Sequence, residues 1–335
     1  MKRWAPALLL VGCAGAWVEG SRQPPRMEHV PKVEAPAGHG HAARIVVGRG
    51  VIASAERVDG ALPGRVVLTA RDGRAGASED AWLLGVVDDR AIVLERDARQ
   101  AIAQHGGRFV LARLSLDGKR EPLADFDGAR ATVREALVTG GAPTAVLLLH
   151  DDDGIERLIA LELDGRRLFE KPLDPARVRT LAASPSAAEL ALSEADPPSL
   201  RLLDARTGAP RWQRKLDAGA PAAESAPAFD GRGDRVFWYR DAHLEGFAAA
   251  DGAPLGSVAL TLPQAQALAP NQDGSGVAVM ERGRGGSGLL TTSRDPVCSL
   301  TWCSFPRGDH VQLASYPSCP PPGLALDDTR ILIAP

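Results

Sequence analysis

A unit of about 44 residues that recurs along the chain restricts the fold more than any other feature of the sequence. A short apolar run closed by a turn ends at Gly73 (RVVLTARDG), Gly118 (FVLARLSLDG), Gly165 (RLIALELDG), Gly208 (LRLLDARTG) and Gly252 (LEGFAAADG). A degenerate form, LLTTSRDP, ends at Pro296. A second column at nearly the same spacing consists of Pro143, Pro185, Pro227 and Pro270, each ahead of another apolar run. Two columns sharing one period indicate an array of like units, the pattern of solenoids and propellers.

The content of the unit separates those two. The apolar runs are short, rich in Val, Leu and Ala, and bounded by Asp, Gly and Pro, which is the pattern of strands. Several D-G and T-G steps supply residues that tolerate φ > 0, as tight hairpins require. A helical solenoid would need long amphipathic runs, and none is present. Four short strands per unit make a blade, so the sequence predicts an all-β fold, a β-propeller of six four-stranded blades. A divergent unit over 44–83 would raise the number to seven. The last run, LALDDTRILIAP, reads as the opening strand of a blade completed by strands near 44–53 and 64–72. Such pairing of the N- and C-terminal strands closes the ring and leaves no open edge there.

One unit carries more than the period. Asp204-Ala205-Arg206-Thr207-Gly208-Ala209-Pro210-Arg211-Trp212 resembles the repeat of the pyrroloquinoline-quinone-like propellers, Asp-x-x-Thr-Gly-x-x-x-Trp. The resemblance covers about residues 84–296 and implies structural roles for Asp204, Thr207, Gly208 and Trp212, with Trp212 packed between neighbouring blades. Phe169 takes the Trp position in the preceding unit and Gly256 in the following one. The proline column, as in LAASPSAAELALS, is similar to the WD40-like repeats of periplasmic propellers. Quinoprotein dehydrogenases that share the repeat bind their cofactor with calcium and characteristic acidic and aromatic residues, and that set is not found here.

The N-terminus reads as an address. Lys2 and Arg3 precede a short apolar run, Ala5 to Val11, far below the roughly 20 residues of a membrane-spanning helix. Leu10-Val11-Gly12-Cys13 resembles the bacterial lipobox, which implies lipidation of Cys13, and Ala14 in place of Asp favours the outer membrane. The alternative is an ordinary signal cleaved at Ala14-Gly15-Ala16. Residues 13–43 then form a Pro- and Gly-rich tether, and 44–335 the propeller. The expected place is the cell envelope, facing the periplasm or the cell surface.

Charge and motifs narrow the chemistry. Lys and Arg number 39 against 42 Asp and Glu, with no basic stripe, which argues against nucleic acid. The chain has no G-x-S-x-G, H-E-x-x-H or Walker motif. Gly283-Arg284-Gly285-Gly286-Ser287-Gly288 matches G-x-G-x-x-G, but LLTTS follows it, a strand where a dinucleotide site needs a helix. Asp151-Asp152-Asp153-Gly154 lacks the alternate spacing and distal Glu of a calcium loop. His39 and His41 lie in the tether without further ligands; His29, His105, His150, His243 and His310 are scattered. No catalytic residue, cofactor or metal is expected.

Cys298, Cys303 and Cys319 fall in a stretch, about 297–323, that interrupts the period and is rich in proline. In an exported protein they read as a disulfide-pinned insertion, paired Cys298–Cys303 or Cys303–Cys319, with a Cys₃ metal site including His310 as the weaker alternative. Trp302, Phe305 and Tyr316 add apolar surface there and are the candidate partner contacts. The functional expectation is a non-catalytic, lipid-anchored propeller that acts as an interaction scaffold for an envelope protein. A propeller enzyme and a ligand-sensing surface protein are the alternatives.

Overall fold

The structure is a computed structural model and describes residues 32–34, 42–56, 64–96, 107–127, 131–174, 179–195, 198–215, 226–284, 296–316, 319, 323–327 and 330–333. The described residues form strands and turns alone. Blade 1 holds β2 (Ala42–Val47), β3 (Val51–Glu56), β4 (Gly64–Ala70) and the first half of β5 (Ala75–Val87). The second half of β5 is the innermost strand of blade 2, followed by β6 (Arg90–Arg96), β7 (Arg108–Leu114) and β8 (Arg120–Asp127). Blade 3 comprises β9 (Thr132–Val138), β10 (Thr144–His150), β11 (Glu156–Glu162) and β12 (Arg167–Leu173). Blade 4 comprises β13 (Arg179–Ala183), β14 (Glu189–Ala195), β15 (Pro198–Asp204) and β16 (Pro210–Lys215). Blade 5 comprises β17 (Ala228–Phe229), β18 (Arg235–Arg240), β19 (His243–Ala248) and β20 (Pro254–Ala259). Blade 6 comprises β21 (Gln264–Pro270), β22 (Gly276–Arg284), β23 (Pro296–Ser304) and β24 (His310–Tyr316). Blade 7 has three described strands: β25 (Leu324–Asp327), β26 (Arg330–Ile333) and β1 (Lys32–Glu34), the last parallel to β26.

Seven blades therefore form the ring among the described residues, and their innermost strands touch in sequence from β2 round to β25 and back to β2. The 44–83 stretch is a complete blade rather than a contribution to the last one. The strand that completes β25 and β26 is β1, which lies inside the segment read as tether. The seventh unit was hard to recognise because β5 runs through two blades without a turn between them, so no punctuation marks the boundary.

The blades stack face to face, which is why their middle strands are buried on both sides. In β10 every residue from Thr144 to Leu149 is buried, a continuous apolar run rather than an alternating one. The glycine column marks the turn between the third and fourth strands. Asp204 Oδ1 there accepts from the amides of Arg206 and Thr207, both at 2.9 Å, and from the Thr207 hydroxyl at 3.0 Å. Gly208 closes the turn at φ 68°, a region costly for residues with a Cβ.

Two parts of the repeat pattern need correction. The equivalent of Gly252 in blade 6 is Gly308, whose amide bonds Ser304 O as that of Gly252 bonds Ala248 O. The extra residues thus fall between β22 and β23, and the 297–323 stretch begins with two regular strands of a blade. The prolines are not equivalent either: Pro143 precedes β10, Pro270 ends β21 and Pro185 lies within a turn. Shared positions are instead Thr139, Ser184, Asp230 and Asn271, whose side-chain oxygens accept backbone N–H groups of the first turn in blades 3 to 6.

Candidate functional site

The innermost strands surround a central cavity of about 880 Å³, lined from every blade. Four charged residues line it, Arg44, Glu135, Asp230 and Arg282, and the first two tie neighbouring blades together. Arg44 on β2 donates from Nη1 to the carbonyls of Leu83 (3.0 Å) and Ala136 (2.6 Å), and from Nη2 to Leu84 (2.8 Å). One guanidinium thereby ties blade 1 to the inner strands of blades 2 and 3. Leu84 is the extra residue of a bulge in β5, which turns its carbonyl away from the β6 ladder. Burial lowers the pKa of Arg44 from its ordinary value, and the charge of Glu135 opposes that shift. Glu135, on β9, accepts the Leu181 amide of β13 at 2.9 Å and so links blade 3 to blade 4.

Between blades 5 and 6 the polar group is deeper. Glu281 on β22 is 1% exposed. Its Oε1 accepts from the amides of Thr261 and Leu262, both at 3.0 Å, and its Oε2 from the hydroxyls of Thr301 (2.6 Å) and Ser299 (3.3 Å). The Tyr239 hydroxyl reaches both Glu281 and the carbonyl of Leu262. Burial, then Glu281, raises the pKa of that phenol well beyond the ordinary range. Ring closure uses Asp327 of blade 7, which is buried and paired with Arg330 and with Arg71 of blade 1.

The cysteines pair differently from expectation. Cys298 is bonded to Cys319, and Cys303 is a buried free thiol. Cys298 and Cys303 lie five residues apart on one extended strand, β23, so their side chains point to opposite faces and sit about 16 Å apart. Cys298 faces the blade 6–blade 7 core, where Cys319 also packs, and Cys303 faces the blade 5–blade 6 core. Burial, then Glu281 and Asp309, push the Cys303 thiol up to about 12.

The aromatic contact site is also corrected. Trp302 and Phe305 are 5% and 3% exposed and belong to the cores between blades. Tyr316 is half-buried beside the disulfide. The tryptophan position of the repeat explains Phe305. Trp212 lies over Gly252 of the next blade, where a Cβ would meet its ring at 2.7 Å, and its indole donates to Ala249 O at 2.8 Å. Blade 5 has Gly256 at that position, and the Phe305-Pro306 turn of blade 6 fills the vacated space, with Pro306 2.9 Å from where a Gly256 Cβ would be. Phe305 is therefore a substitute core aromatic. Trp212 takes the interblade place implied by the resemblance.

Asp151 receives Arg157 at 2.7 Å, and among the described residues no three His, Cys, Asp or Glu side chains converge as metal ligands. His150, His243 and His310 sit in three different blades. Cys13, His29, His39, His41, His105 and Gly285-Gly286-Ser287-Gly288 lie outside the described residues. Reading the sequence missed Arg44, Glu135 and Glu281. The available signal was a charged residue inside a strand otherwise written in Val, Leu, Ala and Met, as in VAVMER and ARIVV.

No family model matches the chain, and no curated protein matches it. Solved structures do. The Swd1 β-propeller domain of Myceliophteria thermophila is similar over 90% of this chain and 93% of that one, at 14% identity and a TM-score of 0.56. A chain of the mitotic checkpoint complex is similar over 98% and 94%, at 13% identity and a TM-score of 0.53. The chain is a β-propeller. At these identities the likeness is one of fold.

Proposed function

We propose that this propeller is an interaction scaffold, held at the bacterial envelope by a lipid on Cys13 and presenting its outer surface to an envelope protein. The observation that carries the reading is the use made of the channel. Arg44 and Glu135, which a channel-bound substrate would meet, are spent on backbone groups of neighbouring blades. The wall contributed by blades 1 to 4 is thus organised to keep the ring closed, and a closed ring is a rigid platform whose exterior is free for recognition. The lipobox-like Leu10-Val11-Gly12-Cys13 supports the anchor, and the Ala14 that follows supports the outer membrane.

The test is affinity capture of the tagged full chain from cross-linked envelopes, with intact mass measured on the same sample. A diacylated Cys13 and a reproducible envelope protein in the eluate are expected. A chain cleaved after Ala16 would sink the anchor. A chain that elutes alone, carrying a bound small molecule, would sink the scaffold.

A further inference from the structure

One charged residue of the channel is not used by the ring. Arg44 and Glu135 are bonded to neighbouring blades, and Asp230 Oδ1 accepts the amides of Asp234 at 2.8 Å and Arg235 at 3.2 Å. Arg282 lines the same cavity and is half-buried, and among the described residues it forms neither a hydrogen bond nor an ion pair. The backbone of β22 is bonded on both sides, to β21 and to β23, so Arg282 reaches the cavity with its side chain. Gln264 is its cross-strand partner, Gln266 stands two residues further along β21, and both are half-buried in the cavity wall. Gln264 has no side-chain hydrogen bond among the described residues either. Gln266 Oε1 lies 3.6 Å from Cys298 Sγ, a disulfide sulfur without a proton. One guanidinium and two carboxamides therefore bring donors without acceptors to one place in the wall.

The acidic groups of the channel leave this place positive. Glu135 belongs to blade 3 and faces the charge of Arg44. Asp230 stands beside Asn271, at the far end of β21 and roughly 20 Å from Gln264 at the rise of a strand. Towards that end the wall turns apolar, with Leu268, Ala182, Val138 and Leu326 half-buried along it. A second cavity of about 500 Å³ shares Val47, Pro185, Gly231, Pro270 and Leu326 with the first. It is also lined by the exposed Arg232 and Asp273, so the channel is reached from that side. We infer that the channel binds a small organic carboxylate. Arg282, Gln264 and Gln266 hold the anion, and the apolar body lies along Leu268 towards the entrance. A concave, mostly apolar site with a few convergent polar groups is the usual form of a small-molecule site. The planar guanidinium fork matches the two oxygens and single charge of a carboxylate. A phosphate dianion would bring a second charge with no further cation beside Arg282 to meet it, and would leave the apolar wall wet. The site lies inside the ring and makes no demand on its exterior, so it stands apart from the scaffold reading.

The test titrates the ¹⁵N-labelled full chain, following the Arg282 Nε–Hε signal and the side-chain amides of Gln264 and Gln266, with affinities from calorimetry. The probes are sodium octanoate, its neutral counterpart octanamide, sodium acetate and inorganic phosphate. Octanoate is expected to shift all three residues and to bind at least about tenfold more tightly than octanamide, the scale of a charge-assisted pair. Acetate, which lacks the apolar body, should bind at least about tenfold more weakly than octanoate, and phosphate should not displace octanoate. Arg282→Met should bind octanoate no better than the parent binds octanamide. It should melt at the parent temperature, because Arg282 holds no other part of the ring. Gln264→Leu should lose about fivefold in octanoate affinity. Equal binding of octanoate and octanamide, or acetate or phosphate binding as tightly as octanoate (an adventitious ion only), would overturn the proposal. So would undiminished octanoate binding by Arg282→Met, or a lowered melting temperature in that variant, which would show that Arg282 already serves the ring.

Discussion

Blades 1 to 4 and blades 5 to 7 are held to their neighbours by groups at different depths. In the first arc the ties are Arg44 and Glu135, which reach from innermost strands to backbone groups along the channel wall. In the second arc they lie between the sheets: Glu281 with Tyr239, Ser299, Thr301 and two amides, then the Cys298–Cys319 bond into the approach to blade 7. A carbonyl released beside a cavity of about 880 Å³ has room to take up water. An amide or hydroxyl released inside a close-packed interblade core does not. Equal numbers of lost hydrogen bonds should therefore have unequal consequences in the two arcs.

The largest effect is expected from Glu281→Leu, which strands two buried amides and two hydroxyls. Chemical denaturation should register a loss of about 3–5 kcal/mol, with Glu281→Gln recovering part of it. Breaking the disulfide by Cys319→Ser frees a connection spanning 21 residues and should cost about 2–3 kcal/mol in the same assay. Arg44→Met should cost only about 1–2 kcal/mol, because its three carbonyl partners can be rehydrated from the channel. An Arg44→Met loss as large as that of Glu281→Leu would break the comparison outright. Trp212→Phe keeps a ring over Gly252 but loses the indole bond to Ala249 O, and about 1 kcal/mol should go with it. The mildest probe leaves stability untouched. With its pKa pushed up to about 12, the Cys303 thiol should resist iodoacetamide at pH 8 in the folded ring and react readily once unfolded. Rapid native labelling would show that the second arc opens locally.

Some of this could be read before any coordinates. The Asp204-to-Gly208 turn is made by atoms two to four residues apart, so its residues announce it wherever they occur. The same holds for the run lengths that exclude helices and for the Trp212 position. The aromatics near the C-terminus were misread because burial is a property of what lies opposite. Trp302 and Phe305 look like an adhesive loop in isolation, yet Phe305 is buried because Gly256, far back in the chain, leaves a space.

The sequence by itself determined the repeating unit, its strands and its tight turns, because those depend on local sterics and on hydrogen bonds within a few residues. Only the tertiary structure decided the seventh blade and the strand that completes it, the pairing of Cys298 with Cys319, and the partners of Arg44, Glu135 and Glu281. Each of those is a contact between residues 18 to roughly 300 positions apart, from Glu281–Ser299 to β1–β26. Such contacts are chosen by how closed sheets face one another around the ring, which no stretch of neighbouring residues encodes.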